Sequence, residues 1–405
     1  VPRFQIGLCL AGALLAYAPA TECAAQRATR VRAERVRVER VTTVRRVPIR
    51  RAHVAVAPAP SMADRLRDGA SPAGGEAPTG PAPALLARGE ARTIKRAVFG
   101  GDFALVRTTD GEIERVGFDD LDALLLGAIA TAPEGMATLT LADGRRIVGS
   151  LRTNGGPAIE HPLFGRFGFT DAARLTLAPA PDAPTLDEPG LVLRNGDSLL
   201  GAPVALAGGV AIELHDRATL LLWDRIATVV FEAPPQRAYG GLRAHLADGS
   251  IVGVHEATTR PDTGGAVDLA LASGGAVRLA PGALVGLSRS GAAMAALAPA
   301  PTLEEHDGAL LAQPGTHTLE LPAGARLVRG VVTLPESARR WGTAYITLWS
   351  AGEPVFFTVL DSDRPGARFG VPVRGPVTMT VHSARGGAAN AVTGLTGETL
   401  VLAED

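Results

Sequence analysis

From residue 94 onward, apolar and polar residues alternate in short runs, the period of β-strands with one buried face. Three segments repeat one pattern: LADGRRIVG (141–149), LRNGDSLLG (193–201) and LADGSIVG (246–253). Each reads Leu-x-(Asp/Asn)-Gly, a short gap, an aliphatic residue and a Gly. Asp143, Asn195 and Asp248 are spaced by 52 and 53 residues. Asp-Gly or Asn-Gly between apolar runs predicts a tight hairpin whose type I′ turn needs positive φ at both central residues. TTDGEIERVGF, around Asp110-Gly111, reads as a fainter first copy. After each turn the alternation continues, as in 209–231 and 269–290, and closes on an aliphatic strand. The expectation is a run of small antiparallel units of four or five strands, each leaning on its neighbours. Their expected bounds are about 94–131, 132–180, 188–233 and 238–289.

Residues 290–304, rich in Ala and Pro, read as a linker. Beyond it come HTLELP (317–322), ARLVRGVVTLP (325–335), AYITLW (344–349), VFFTVL (355–360), RFGVPV (368–373), VTMTVH (377–382) and ETLVLA (398–403). Short strands bounded by Pro, Gly and Asp predict a β-sandwich of jelly-roll type over 305–405. The predicted fold class is therefore all-β: an array of Asp-Gly hairpin repeats followed by a C-terminal sandwich.

Aromatic residues sharpen this picture. The chain has 3 Trp, 3 Tyr and 11 Phe, and six of these seventeen fall in 341–369: Trp341, Tyr345, Trp349, Phe356, Phe357 and Phe369. In AYITLW, Ala344, Ile346 and Leu348 share one face of a strand, and Tyr345, Thr347 and Trp349 the other. The aliphatic set is the natural inner face. Tyr345 and Trp349 then face outward, expected about 7 Å apart, with Trp341 at the same parity. Outward aromatic rings either stack on the apolar face of a sugar or are covered by a neighbouring domain. The parity alone leaves both open.

Upstream, residues 26–93 read as disordered: an Arg-rich stretch, then a Pro/Ala/Gly-rich linker. Residues 27–51 carry ten Arg against Glu34 and Glu39, a local charge of +8; with the total at −1 and residues 1–26 neutral, the remainder carries −9. Arg45, Arg46, Arg50 and Arg51 end this basic arm, which reads as a solvated linker or as an electrostatic contact for acidic polymer. Lys95 is the only lysine, a bias that supplies arginine without any nucleic-acid role, and no specific nucleic-acid partner is expected. IGLCLAGALLAYA (6–18) after Arg3, with Cys23-Ala24-Ala25 before Gln26, reads as an export signal over 1–25. The alternative is an uncleaved anchor, although the apolar run is shorter than a bilayer span. Both cysteines, Cys9 and Cys23, lie in that segment, so no disulfide or thiolate metal site is expected downstream. The expected location is exported: periplasmic, cell-surface or secreted.

The segments LELPAGARLVRGVVTLP, WGTAYITLW, GEPVFFTVL, FGVPVRGPVTMTV and LVLAE together resemble the NPCBM-type module, a carbohydrate-binding β-sandwich of the galactose-binding-like class. The Asp-Gly repeats resemble segments that accompany such modules in exported, planctomycete-like bacterial proteins. The resemblance implies sugar recognition by the sandwich. The family's Asp and Trp before the last strand are missing from NAVTGLTGETLVL, a departure that fits an envelope scaffold as well.

Catalytic chemistry is not expected. GLSRSG (286–291) lacks nucleophile-elbow spacing, and no His-Glu-x-x-His or phosphate loop occurs. His215-Asp216 and His255-Glu256 are adjacent pairs, which a strand sends to opposite faces. Asp143 and Asp248 sit in turns, as do Asp361 and Asp363, which lack the continuation of a calcium loop. No cofactor or metal is expected. The expected function is non-catalytic binding of cell-surface or environmental polysaccharide through Tyr345, Trp349 and Trp341. The alternative is a structural protein of the cell envelope that assembles through its repeats and basic arm.

Overall fold

The computed structural model describes residues 80–128, 132–178, 185–214, 217–232, 239–289, 292–297, 303–306, 309–339, 342–383 and 393–402. The segment expected to be an export signal, the arm with Arg45, Arg46, Arg50 and Arg51, Trp341 and His215-Asp216 lie outside the described residues.

The architecture is all-β, with antiparallel pairing throughout and a single short α-helix, Glu336–Arg339, among the described residues. One pairing scheme recurs four times. The first unit runs through β1 (Ala84–Ala87), β2 (Glu90–Gly101), β3 (Phe103–Thr108), β4 (Ile113–Gly117) and β5 (Leu121–Leu125). The second comprises β6 (Ala137–Leu141), β7 (Arg146–Arg152), β8 (Ala158–His161), β9 (Gly165–Phe167) and β10 (Ala172–Thr176). In the third, the second strand is split: β11 (Gly190–Leu193), β12 (Ser198–Leu200), β13 (Val204–Leu206), β14 (Gly209–Leu214), β15 (Arg217–Leu222) and β16 (Ile226–Val230). The fourth is β17 (Leu242–Leu246), β18 (Ile251–Arg260), β19 (Ala266–Leu271), β20 (Ala276–Leu279) and β21 (Leu284–Ser288). In every unit the first strand pairs with both the second and the last.

The last strands then join units in pairs. β21 pairs with β5, and β10 with β16, so units one and four enclose units two and three in the sequence. Each seam lines up four side chains. Leu85, Leu124, Leu287 and Ala244 form one row across β1-β5-β21-β17. Leu139, Leu175, Val229 and Leu191 form the other, across β6-β10-β16-β11. All eight have no exposed surface. Burying each leucine contributes about 2 kcal/mol, and its neighbour in the row comes from another part of the chain, which is how units of this size find a core.

The turns correct the expected type. Gly144 N–H donates to Leu141 O and Leu141 N–H to Arg145 O, and only the glycine has positive φ, +84°. This is a three-residue hairpin loop closed by a left-handed glycine. The same bonds recur around Gly196 and Gly249. The preceding acid or amide caps the turn: Asp143 accepts from Arg145 N–H, Asn195 from Asp197 N–H and Asp248 from Ser250 N–H. A turn with positive φ at both central residues occurs instead at Arg88-Gly89, φ +52° and +76°. Arg88-Gly89 is the first unit's equivalent of the motif. Asp110-Gly111 is the β3–β4 turn of that unit, so the copy expected there is displaced by two turns.

The C-terminal sandwich begins earlier than expected. β22 (Ala292–Ala296) lies in the stretch read as linker and pairs with β31 (Thr393–Leu402). β23 (Glu304–His306), β24 (Ala309–Ala312), β26 (Ala325–Thr333) and β29 (Gly366–Pro372) complete that sheet. The second sheet has the order β25 (Gly315–Leu319), β30 (Val377–Ser383), β27 (Ala344–Ser350), β28 (Glu353–Leu360).

β26 is buried on both sides. Val328 and Val332 enter the sandwich core, whereas Leu327 enters a second cluster with Ala84, Leu86, Ala123 and Leu125 of the first unit. Arg329, wholly buried, donates to Gly127 O at 2.6 Å and to Ala82 O at 3.4 Å. Because β26 covers the first unit, β1 and β5 are also buried on both faces, which is why ALLA (84–87) shows no alternation. That is the physical reason the linker expected over 26–93 runs too far: β1 and the first part of β2 lie within it.

Candidate ligand-binding face

β27 lies in the middle of its sheet, and its side chains divide by parity. Ala344, Ile346, Leu348 and Ser350 are buried, Tyr345 is exposed, and Thr347 and Trp349 are half-buried. On β30, Val377, Met379 and Val381 point inward; Thr378 and Thr380 are half-buried and His382 is exposed. On β25, His317 and Leu319 are buried, and Thr316 and Thr318 are exposed. His317 Nε2 lies 2.7 Å from Gln313 O.

The outer face is therefore a set of cross-strand rows. Tyr345 lies between Val359 and His382, Thr347 between Phe357 and Thr380, and Trp349 between Pro354 and Thr378. The third row is shifted by a bulge between Leu348 and Trp349. Phe357 is 62% exposed and Tyr345 38%. Their rings are nearly parallel, at an interplanar angle of 13° with centroids 6.4 Å apart.

Two points differ from the sequence expectation. A strand rises about 3.3 Å per residue, so Tyr345 and Trp349 stand about 13 Å apart along β27; about 7 Å is the two-residue spacing. Phe357, opposite Thr347, stands in the row between them and was not among the expected site residues. Its signal was available: Phe356 and Phe357 are adjacent in a strand, so one had to face outward. Phe356 is the inward one and lies 5.7 Å from the buried Phe369. The cluster of aromatics thus splits into two core rings and three outer rings, with Trp341 outside the described residues. The repeat units cover the other sheet, at β26 and β29, and Thr93 Oγ1 donates to Gly370 O there.

A cleft of about 510 Å³ opens at one end of the sandwich, lined by Leu319, Leu321, Arg326, Val373, Arg374 and Pro376. Both of its arginines are exposed.

The other polar candidates are structural. Asp143 accepts from Arg145 N–H and pairs with Arg145 Nε at 2.7 Å. Asp361 accepts from Asp363 N–H and Arg364 N–H, closing its own turn. His255 and Glu256 fall at a β-bulge between Val254 and Glu256 and are both exposed, so the rule of opposite faces fails for this pair. Among the described residues, no group of three or more His, Cys, Asp or Glu could hold a metal ion.

No family model matches the sequence, and no curated protein does. Among solved structures, the chain is similar to the CBM51 from Clostridium perfringens GH95 in complex with methyl-galactose: 11% identity, 26% of this chain, 78% of that one and TM-score 0.21. It is also similar to the CBM51-2 and INT domains from Clostridium perfringens ZmpB, with CBM51-2 in complex with GlcNAc: 12% identity, 35% and 37% coverage, TM-score 0.22. A third is the M60 catalytic domain of the same ZmpB with CBM51-1 and CBM51-2: 11% identity, 75% and 25% coverage, TM-score 0.22. Scores this low carry no argument about what the present chain binds.

Proposed function

We propose that this protein is an exported, non-catalytic binding protein that recognises a cell-surface or environmental polysaccharide through the outer face of β25-β30-β27-β28. The observation that carries the reading is the pair of exposed, nearly parallel rings of Tyr345 and Phe357, with Trp349 one row further on. Flat rings on a sheet offer apolar platforms to the C–H faces of sugars, and the hydroxyls of Thr316, Thr318, Thr347, Thr378 and Thr380 can hydrogen-bond a polyol along the same rows. A row-to-row extent of about 13 Å suits a chain of sugar units. The hydrophobic segment over 6–18 supports export, and the basic arm adds an electrostatic hold on acidic polymer.

The test is retention on a panel of insoluble polysaccharides and a glycan array, using the full chain. Phe357→Ala and Trp349→Ala should lose retention while the thermal unfolding temperature stays within a few degrees of the parent. Retention equal to the parent in both variants would reject the face as the site.

A further inference from the structure

Five of the large hydrophobic side chains that are exposed among the described residues gather on the third unit. Leu200 is 56% exposed, Val204 57%, Leu206 44%, Leu220 52% and Leu222 54%. Register explains four of them. β13, β14 and β15 form their own three-stranded sheet. Ala205, Val210 and Leu221 make one cross-strand row, and Val210 and Leu221 belong to the main core. The neighbouring rows, Val204-Ala211-Leu220 and Leu206-Gly209-Leu222, therefore face away from it. The outer face is aliphatic over two full rows. Leu200, at the end of β12, extends it along the chain.

The other units provide an internal comparison. On the matching strands of unit four, Asp268 takes Arg260 and Arg278 in ion pairs at 2.5 and 2.7 Å. On unit one, Arg115 lies over the Phe103 ring at 4.1 Å. The same place in the fold is charged twice and aliphatic once. A solvated surface does not require that change, whereas a covered one does.

We propose that this face is the interface of a symmetric homodimer, with a second copy of the chain seated on it. Five side chains about half out of water expose on the order of 400 Å² of apolar surface, within the roughly 300–600 Å² of the largest patch on a monomer, a patch that is often functional. That is about half of the roughly 800 Å² each partner gives to a standard interface, and it supplies the apolar centre that homodimer interfaces require. The two outward rows carry no charge, and Glu213 of the next row stands at their edge, so a two-fold axis can set aliphatic rows on aliphatic rows with the carboxylates at the rim. A sugar is a poor occupant, because the face has neither aromatic platforms nor polar groups between the rows. Sheet-on-sheet packing at about 10 Å is the geometry expected.

The experiment is sedimentation velocity of the full chain, with two variants. The parent should sediment as a dimer. Leu220→Asp should sediment as a monomer with an unchanged far-ultraviolet circular dichroism spectrum, and Ala276→Asp, at an exposed position on unit four, should remain dimeric. Leu220→Cys, made with Cys9 and Cys23 changed to Ser, should yield a disulfide-linked dimer on oxidation, a readout that does not depend on Leu220→Asp folding. A parent that is monomeric up to its solubility limit overturns the proposal. So does a dimer that survives Leu220→Asp, or Leu220→Cys that never cross-links.

Discussion

His161 and Asp248 meet at 2.7 Å, Nε2 to Oδ2, across two units 87 residues apart in the chain. His161 Nδ1 accepts from Leu163 N–H and Phe164 N–H, so the proton sits on Nε2 and is donated to the carboxylate. Burial pushes the Asp248 carboxyl up, but hydrogen bonds from His161 and Ser250 N–H outweigh it and hold the group below its ordinary value. Arg146 Nε donates to Gly249 O and Val148 N–H to Ser250 Oγ beside it. The motif turn of unit four is thereby pinned to unit two. Asp248→Ala should cost about 1–3 kcal/mol, because it strands a buried imidazole N–H, and chemical denaturation will measure it. Since the folded carboxyl titrates below the unfolded one, its contribution is complete above the unfolded value and is lost only as pH falls through the depressed folded value.

His245 should give a second, separate pH dependence. It is buried, with Nε2 at 2.7 Å from Ser288 Oγ, and is pushed down to about 4 by burial first and then by Arg146, Arg243 and Arg329. The fold therefore holds it neutral while the unfolded chain protonates near 6.5. Stability is unaffected above pH 6.5, falls as pH drops from there to about 4, and levels off below. Over that window the loss is roughly 3 kcal/mol, at 1.36 kcal/mol per unit. His245→Gln should flatten the slope in urea denaturation measured from pH 7 to pH 4.5; an unchanged slope would refute the assignment.

Arg329 ties the sandwich to the first unit by donating to the carbonyls of Gly127 and Ala82. Arg329→Ala removes both bonds and leaves a cavity, at a cost on the order of 3 kcal/mol. Calorimetry should show one transition for the parent and a split transition for the variant, as sandwich and repeats come apart separately.

In two of the three motifs the closing glycine is set by close approach. A Cβ on Gly149 would lie 2.4 Å from Glu160 O, and one on Gly253 would lie 2.8 Å from the Tyr239 ring. Gly149→Ala should destabilise by about 1–3 kcal/mol, since a backbone carbonyl, not a flexible side-chain tip, would have to move.

The parity of AYITLW could be read from the chain alone because one face is aliphatic and buried, and the strands of the sandwich could be found for the same reason. β1 was hidden because it is buried on both faces, and β22 because AAMAA offers alanines of low strand propensity. Arg88-Gly89 escaped because its turn needs no acid: Gly89 N–H is capped by Asp122 from the neighbouring β5 instead. Phe357 was missed as a site residue because only the pairing with Thr347 shows which row it fills.

The nesting of units two and three inside one and four constrains how the molecule can be made. The inner pair has all its strands once residue 230 has been synthesised, but β5 waits for β21, whose last residue is 288. Until then Leu121-Asp122-Ala123-Leu124-Leu125 is an unpaired aliphatic edge, the kind of segment that templates aggregation. A chain emerging N-terminus first, from a ribosome or through a membrane pore, carries that edge unpaired for more than 150 residues of delivery. Its yield should depend on delivery speed and on whatever shields that edge in the interval.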